Sequence, residues 1–247
     1  MTMRVLTYNV RSLRDDPQAV ARVIRSVAPD VVCIQEAPRF LRWRSKCAEL
    51  ARRSGLVVVG GGRSAAANLL LSSLRVDVLE TKNILLSPEP GLHRRGIAWA
   101  RLRLAGEEFI VAGAHLDLRE EARLRHVAEV ERVLAQLAPA EVPSIVCADV
   151  NDDPGSPTWN ALSRSRIDAY AHLKSGPDSD GEAMASNTPD DPEGATSGPA
   201  DHPRRRIDAI FVSPSIQVRR AQVLRGRDVE RASDHRPVLA ELDLSSL

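Results

Sequence analysis

The sequence predicts an α/β protein whose sheets are covered by helices, on two observations. Short apolar runs stopping at an acid, amide or imidazole occur six times: Val5–Asn9, Val31–Glu36, Phe109–Asp117, Ile145–Asn151, Arg206–Val212 and the closing Ser233-Asp234-His235. Such runs read as buried strands. Strand-helix-strand segments also alternate with closely spaced strand-like runs, a mixture of parallel crossovers and hairpins.

Taken in order, the first strand ends near Asn9, and Pro17 stands where a helix would begin. Ala19, Val20, Val23, Ile24 and Val27 supply its apolar stripe, and Pro29 follows its end. A second helix is expected over 41–53. Strand-like runs follow at 56–59, 67–72, 75–86, 96–104 and 109–115, the setting for antiparallel pairing. Residues 119–137 carry Leu124, Val127, Val130, Val133, Leu134 and Leu137 between charges, an amphipathic helix leading into the strand that ends at Asp149. Strands near 207–212, 216–224 and 237–243 complete the layout, and no fixed-period repeat is seen. Residues 174–203 are rich in Gly, Pro, Ser, Asp and Asn and nearly devoid of large apolar residues. A loop this long in a compact domain is functional or disordered, and it is expected to border the site.

Bulk properties suit one compact enzyme domain over 1–247. The chain is 43% hydrophobic and has a net charge of +1, without the basic excess of a non-specific nucleic-acid binder. Aromatics are only 3%, leaving few rings on which bases could stack. Cys33, Cys47 and Cys147 lack metal-ligand spacing and are a poor disulfide framework, so a reduced, cytoplasmic protein is expected. Cys33 and Cys147 lie in strand-like runs and read as small buried hydrophobes. No signal-like segment or membrane-length run is evident, so a soluble protein without stable membrane insertion is expected. No obligate protein partner is indicated.

Carboxylates, amides and imidazoles arriving together at strand ends point to one convergent site, and a metal-assisted hydrolase is the first reading. Thr7-Tyr8-Asn9, Gln35-Glu36, His115-Leu116-Asp117, Ala148-Asp149-Val150-Asn151, Arg206-Ile207-Asp208 and Ser233-Asp234-His235, in that order, resemble the motifs of the endonuclease/exonuclease/phosphatase superfamily, the DNase I-like fold. The resemblance runs from residue 4 to about 243 and includes Pro154-Gly155-Ser156-Pro157 after the fourth motif. It implies a four-layer α/β/β/α sandwich of two mixed, mainly antiparallel sheets flanked by helices. It also implies Mg²⁺-dependent attack of water on a phosphate ester, with Mn²⁺ able to substitute.

Hydrolysing an anionic ester calls for a cation on the phosphoryl oxygens, a group that activates water, and donors for developing charge. Under the resemblance, Glu36 is the metal candidate, because a hard ion takes carboxylate oxygen, with Asn9 and Asp234 completing or flanking that shell. Asp149 would orient or deprotonate water. Asn151, on the same face if the strand continues, would donate to a phosphoryl oxygen. Asp208 would hold His235 protonated beside the scissile phosphate, and His115 would be a second donor. Asp117 is read as supporting local hydrogen bonds. Arg11 stands where some apurinic-site endonuclease relatives carry an acid, which disfavours that activity.

Arg63, Arg94, Arg95 and Arg204 to Arg206 are basic residues able to meet phosphate, although a solvated surface role is the ordinary one, and Asp201-His202 is a rival metal-binding pair. No basic, aromatic-rich insertion suited to duplex DNA is evident. Two functions remain open: an active phosphoesterase acting on a phosphorylated small molecule, a phospholipid head group or nucleic acid, or a catalytically silent relative used as a binding module. Every matched position is intact, which favours the enzyme.

Overall fold

A computed structural model describes residues 2–139, 141–174, 194–198 and 203–244. The first half contains β1 (Thr2–Asn9), α1 (Pro17–Ser26), β2 (Val31–Gln35), α2 (Trp43–Ser54), β3 (Val57–Gly62), β4 (Asn68–Ser72), β5 (Val76–Leu85), β6 (Gly96–Leu104) and β7 (Glu107–His115). There follow α3 (Glu120–Leu137), β8 (Ser144–Asp149), α4 (Pro157–Ser163), β9 (Ile167–Asp168), α5 (Ala169–Lys174), β10 (Asp208–Val212), β11 (Gln217–Val223), α6 (Arg227–Ala232) and β12 (Val238–Asp243).

The strands form two six-stranded sheets, ordered β11-β12-β1-β2-β4-β3 and β5-β6-β7-β8-β10-β9. Each is antiparallel except for one central parallel pair, β1–β2 in the first and β7–β8 in the second. A parallel pair needs a crossover, and α1 and α3 supply them. Position by position the two sheets have the same pairing plan, a near-repeat of topology that the sequence does not display.

Three apolar layers account for the stacking. Val5, Cys33, Leu70, Phe109, Ile145, Cys147 and Leu242 pack between the sheets. Tyr8, Val20, Ile24, Val32 and Leu50 join the first sheet to α1 and α2. Trp99, Ile110, Val127, Val130, Leu134 and Trp159 join the second sheet to α3 and α4. Alternation along each central strand thus feeds both faces, as burial on two sides requires. All three cysteines are free and buried, and two of them sit in the inter-sheet layer.

Local chemistry sets the element ends. Asp16 caps α1, its carboxylate accepting from the Gln18 and Ala19 amides, with Pro17 at the first helical position. The second helix begins at Trp43, two residues later than expected, because Arg42 is left-handed (φ 58°) and cannot continue a helix. The strand before His115 begins at Glu107, and β9, α4, α5 and α6 come in addition to the expected elements. Residues 175–193 and 199–202 of the Gly/Pro-rich stretch, with Asp201-His202, lie outside the described residues. No helix among the described residues is long and apolar enough to cross a membrane.

Candidate active site

Two parallel pairs in matching register bring their ends to one place. Asn9 on β1 stands beside Gln35 on β2, and His115 on β7 stands beside Asp149 on β8. Antiparallel β10 begins where β8 ends, so Asp208 is aligned with Asp149. His235 precedes β12 and reaches the same point from the first sheet. A cavity of about 320 Å³ opens there, lined by Glu36, Arg95, His115, Asp149, Asn151 and His235 among others.

Asp149 is the hub. Its Oδ2 accepts from Asn9 Nδ2 at 2.9 Å and lies 3.4 Å from His115 Nε2, while its Oδ1 accepts from the Asn151 backbone N–H at 3.1 Å. Asn9 Nδ2 also reaches Glu36 Oε1 at 3.3 Å, so one amide nitrogen joins two carboxylates from opposite sheets. On the far side of Asp149, His235 Nδ1 meets Asp208 Oδ2 at 2.8 Å. The other ring nitrogen of His235 lies 3.5 Å from Ser197 Oγ.

Burial separates the two imidazoles. It lowers the pKa of His115 to about 4, with Arg95 adding to the effect and Asp149 opposing it, so this ring is neutral at physiological pH. Burial would also lower that of His235, but the carboxylates of Asp208, Asp149 and Asp234 outweigh it and raise the value to about 10, leaving an imidazolium. Asp208 is pushed up to about 6 by burial and by Asp149, against the pull of His235. Burial acts in the same upward sense on Asp149, yet the imidazoles and the Asn9 and Asn151 hydrogen bonds hold its carboxyl below the ordinary carboxylate range.

Asn151 does not sit on a continuing strand. It is left-handed (φ 55°), in a turn closed by its N–H bond to Asp149, and its side-chain amide donates to Leu116 O at 3.0 Å. The turn delivers it to the cavity all the same. Glu36, just past β2, is likewise left-handed (φ 50°). With Ser12, Ala66 and Ala67, five non-glycine residues lining this cavity have positive φ, backbone held against its preference, a feature that clusters at functional sites. Asp234 stands apart: Ser233 Oγ lies 3.4 Å from it and Arg11 Nε 3.3 Å away. Asp117 is buried and accepts from the Leu118 N–H, with Arg95 at 3.8 Å. Of the basic candidates, Arg205 pairs with Asp153, and Arg206 is buried against Asp168.

The carboxylate oxygens of Glu36 and Asp149 converge on Asn9 Nδ2, whereas Asn9 Oδ1 accepts from the Arg11 N–H at 3.0 Å, and the hard oxygens of the two carboxylates fit a divalent cation such as Mg²⁺. Asp149, Asp208 and His235 also present atoms within 4.8 Å of one another. His235 Nδ1 is already engaged by Asp208 at 2.8 Å, and the carboxylate oxygens on the Glu36 side are the harder donors.

The sequence profile of the Endonuclease/Exonuclease/phosphatase family matches residues 6–235. The chain belongs to that family. Among curated proteins no sequence matches it. Solved structures share the family fold along the whole chain. A mannosyl-6-phosphatase from Bacteroides thetaiotaomicron is 20% identical, with 98% of this chain and 99% of that one covered and a TM-score of 0.75. The human Nocturnin catalytic domain with a bound sulfate is 19% identical, covering 98% and 94%, at a TM-score of 0.69. D. rerio TDP2 complexed with a single-strand DNA product is 18% identical, covering 98% and 99%, at a TM-score of 0.70.

Family motifs did not reveal everything around the cavity. The hydroxyl of buried Thr196 accepts from the Ile207 and Asp208 N–H groups at 3.0 and 3.1 Å, fixing the start of β10. Thr196 and Ser197 belong to the Gly/Pro-rich stretch, which therefore borders the site at these residues, as expected. Nothing in that composition singles them out. Ser233 Oγ donates to Asn9 O at 2.8 Å, tying the β12 approach to the end of β1.

Proposed function

We propose that the chain is a divalent-metal-dependent phosphoric ester hydrolase that cleaves a mono- or diester by attack of an activated water. The observation that carries this reading is the placement of Asp149: an ionised, buried carboxylate contacted by Asn9, His115 and Asn151, 4.0 Å from the imidazolium of His235. Glu36 would hold Mg²⁺ or Mn²⁺, with Asn9 beside it, and Asp234, paired with Arg11, would stand outside that shell. Bound there, the cation would offset phosphoryl charge and ease the ionisation of water.

Asp149 orients the water. Its low pKa makes it a weak proton acceptor and a permanent hydrogen-bond acceptor, which suits positioning more than deprotonation. His235 faces the phosphoryl oxygens as a fixed positive charge, and Asp208 keeps it protonated and aimed. Neutral His115 and the second amide hydrogen of Asn151 are donors for charge that develops in the transition state. The substrate is a phosphorylated small molecule, a phospholipid head group or a nucleic-acid strand, and the motif residues are compatible with all three. Hydrolysis of a panel of mono- and diesters with Mg²⁺ or Mn²⁺, with and without chelator, tests the reading. If the purified protein turned over nothing in that panel, or Asp149→Asn matched it, the proposal would fail.

A further inference from the structure

Residues 39–46, running from the β2–α2 turn into the first turn of α2, read Arg39-Phe40-Leu41-Arg42-Trp43-Arg44-Ser45-Lys46, cations interspersed with large apolar groups and no acid. It borders a second cavity that shares Arg39, Phe40, Ala66 and His93 with the reaction cavity, so the two are continuous. Arg39, Arg42, Arg63 and Arg94 line this extension, with no acidic side chain in the lining. None of the four forms an ion pair among the described residues, whereas nearby Arg95 faces Asp117 at 3.8 Å.

The same rim collects exposed hydrocarbon. Phe40 is 68% exposed, Leu41 84%, Leu85 47% and Leu118 67%, and all four line one or other of the two cavities. They are half of the eight exposed large apolar side chains among the described residues. Exposed apolar side chains gathered around two continuous cavities, beside cations without ion pairs, mark an interaction surface.

Charge requires an anionic partner, and the apolar chemistry separates the candidates. A nucleic-acid strand needs successive free rings on which to stack. Phe40 is the one exposed ring at this rim, and the Arg39 guanidinium lies 5.3 Å from its centroid. Trp43 lies against Gly62 (φ 78°), where a Cβ would come within 2.4 Å of the ring, and its π face carries the Arg44 guanidinium 4.4 Å from the centroid. The remaining apolar groups are leucines, suited to the boundary between lipid head groups and acyl chains, with arginines at phosphate level. We infer that this rim docks peripherally on an anionic lipid bilayer, with Phe40 and Leu41 in the interface and Arg39, Arg42, Arg63 and Arg94 on lipid phosphates. Docking places the reaction cavity directly over the membrane surface. Docking at this rim requires none of Asp149, Asp208 or His235.

The test is co-sedimentation of the full chain, in chelator, with phosphatidylcholine vesicles with and without phosphatidylglycerol. Binding is expected only with the anionic lipid, weakening as salt shrinks the screening length from about 10 Å at 0.1 M to about 3 Å at 1 M. Leu41→Ser combined with Arg42→Glu should weaken it at least about tenfold, since each interfacial charge is worth about fivefold. Leu74→Ser, which removes an equally exposed leucine (86%) outside both cavities, should bind as wild type. Unchanged melting midpoints show that both variants are folded. The inference is overturned if anionic vesicles are not bound, if neutral vesicles bind equally, or if the double variant matches wild type. Tight binding of a single-stranded oligonucleotide without vesicle binding would also overturn it and assign the rim to nucleic acid.

Discussion

Asn9 Nδ2 donates to Asp149 Oδ2 across 2.9 Å, joining the end of the first strand of one sheet to the end of the fourth strand of the other. The bond spans the seam between sheets, so the reactive cavity exists only where both sheets are in place.

Replacing Asp149 with Asn should keep the shape and remove the charge. Hydrolysis is expected to fall by about 10²–10⁴, read as kcat on a chromogenic phosphodiester. The melting midpoint should change little, because removal of a buried charge offsets the loss of one acceptor for Asn9 Nδ2 or the Asn151 N–H. A variant that retained full turnover would take Asp149 out of the mechanism.

Activity should be bell-shaped in pH. It falls as pH drops through about 6, where Asp208 takes a proton, and again as pH rises through about 10, where His235 loses one. In Asp208→Asn the raising influence is largely gone, so the alkaline limb should move down toward the ordinary imidazole value near 6.5. An alkaline limb that stayed near its wild-type position in the kcat/KM profile would remove Asp208 from the control of His235.

Chelation should abolish activity, and Mg²⁺ or Mn²⁺ should restore it. Independently of turnover, saturating metal at about a hundred times its Kd should add about 2.7 kcal/mol to stability, visible as a raised melting midpoint. Glu36→Gln should lose most of that shift and need at least about tenfold more metal for half-maximal activity. A shift of wild-type size in this variant would move the metal away from Glu36.

Arg206 is buried, with Nη1 2.9 Å from Asp168 Oδ2 and its guanidinium 4.6 Å from the Trp159 ring centroid. Arg206→Leu leaves Asp168 charged and buried with Trp159 Nε1 as its remaining side-chain donor, and should cost about 3 kcal/mol in chemical denaturation. A loss under about 1 kcal/mol would show that the pair is dispensable to the fold.

Strand ends were readable because an apolar run interrupted by Asn9, Glu36, Asp149 or Asp208 is a conflict that burial alone would not tolerate. The long helices were readable because Val20, Ile24, Val127 and Leu134 recur at helical spacing. At α4, only the Ser156-Pro157 cap was available as a signal; α5 and α6, six residues each, are too short to establish a period. The left-handed turns at Glu36 and Asn151 were hidden for a different reason: neither residue is glycine, and tertiary contacts impose the conformation. Thr196 and Ser197 act through groups distant in sequence. Arg39 to Lys46 blended into a helix-forming segment, and left-handed Arg42, which sets the start of α2 at Trp43, carries no signal in its residue type.

The first sheet is closed by β12 pairing with β1, strands from opposite ends of the described chain, whereas the second is built from the contiguous stretch β5–β10. On the ribosome the second sheet can therefore reach its full complement of strands while the first still lacks two. His235 arrives with the late strands, as the last of these groups to be translated. Until then Asp208 lacks the imidazole it holds in the finished protein, so a nascent chain carries the carboxylates of this chemistry without the cation that would make them competent.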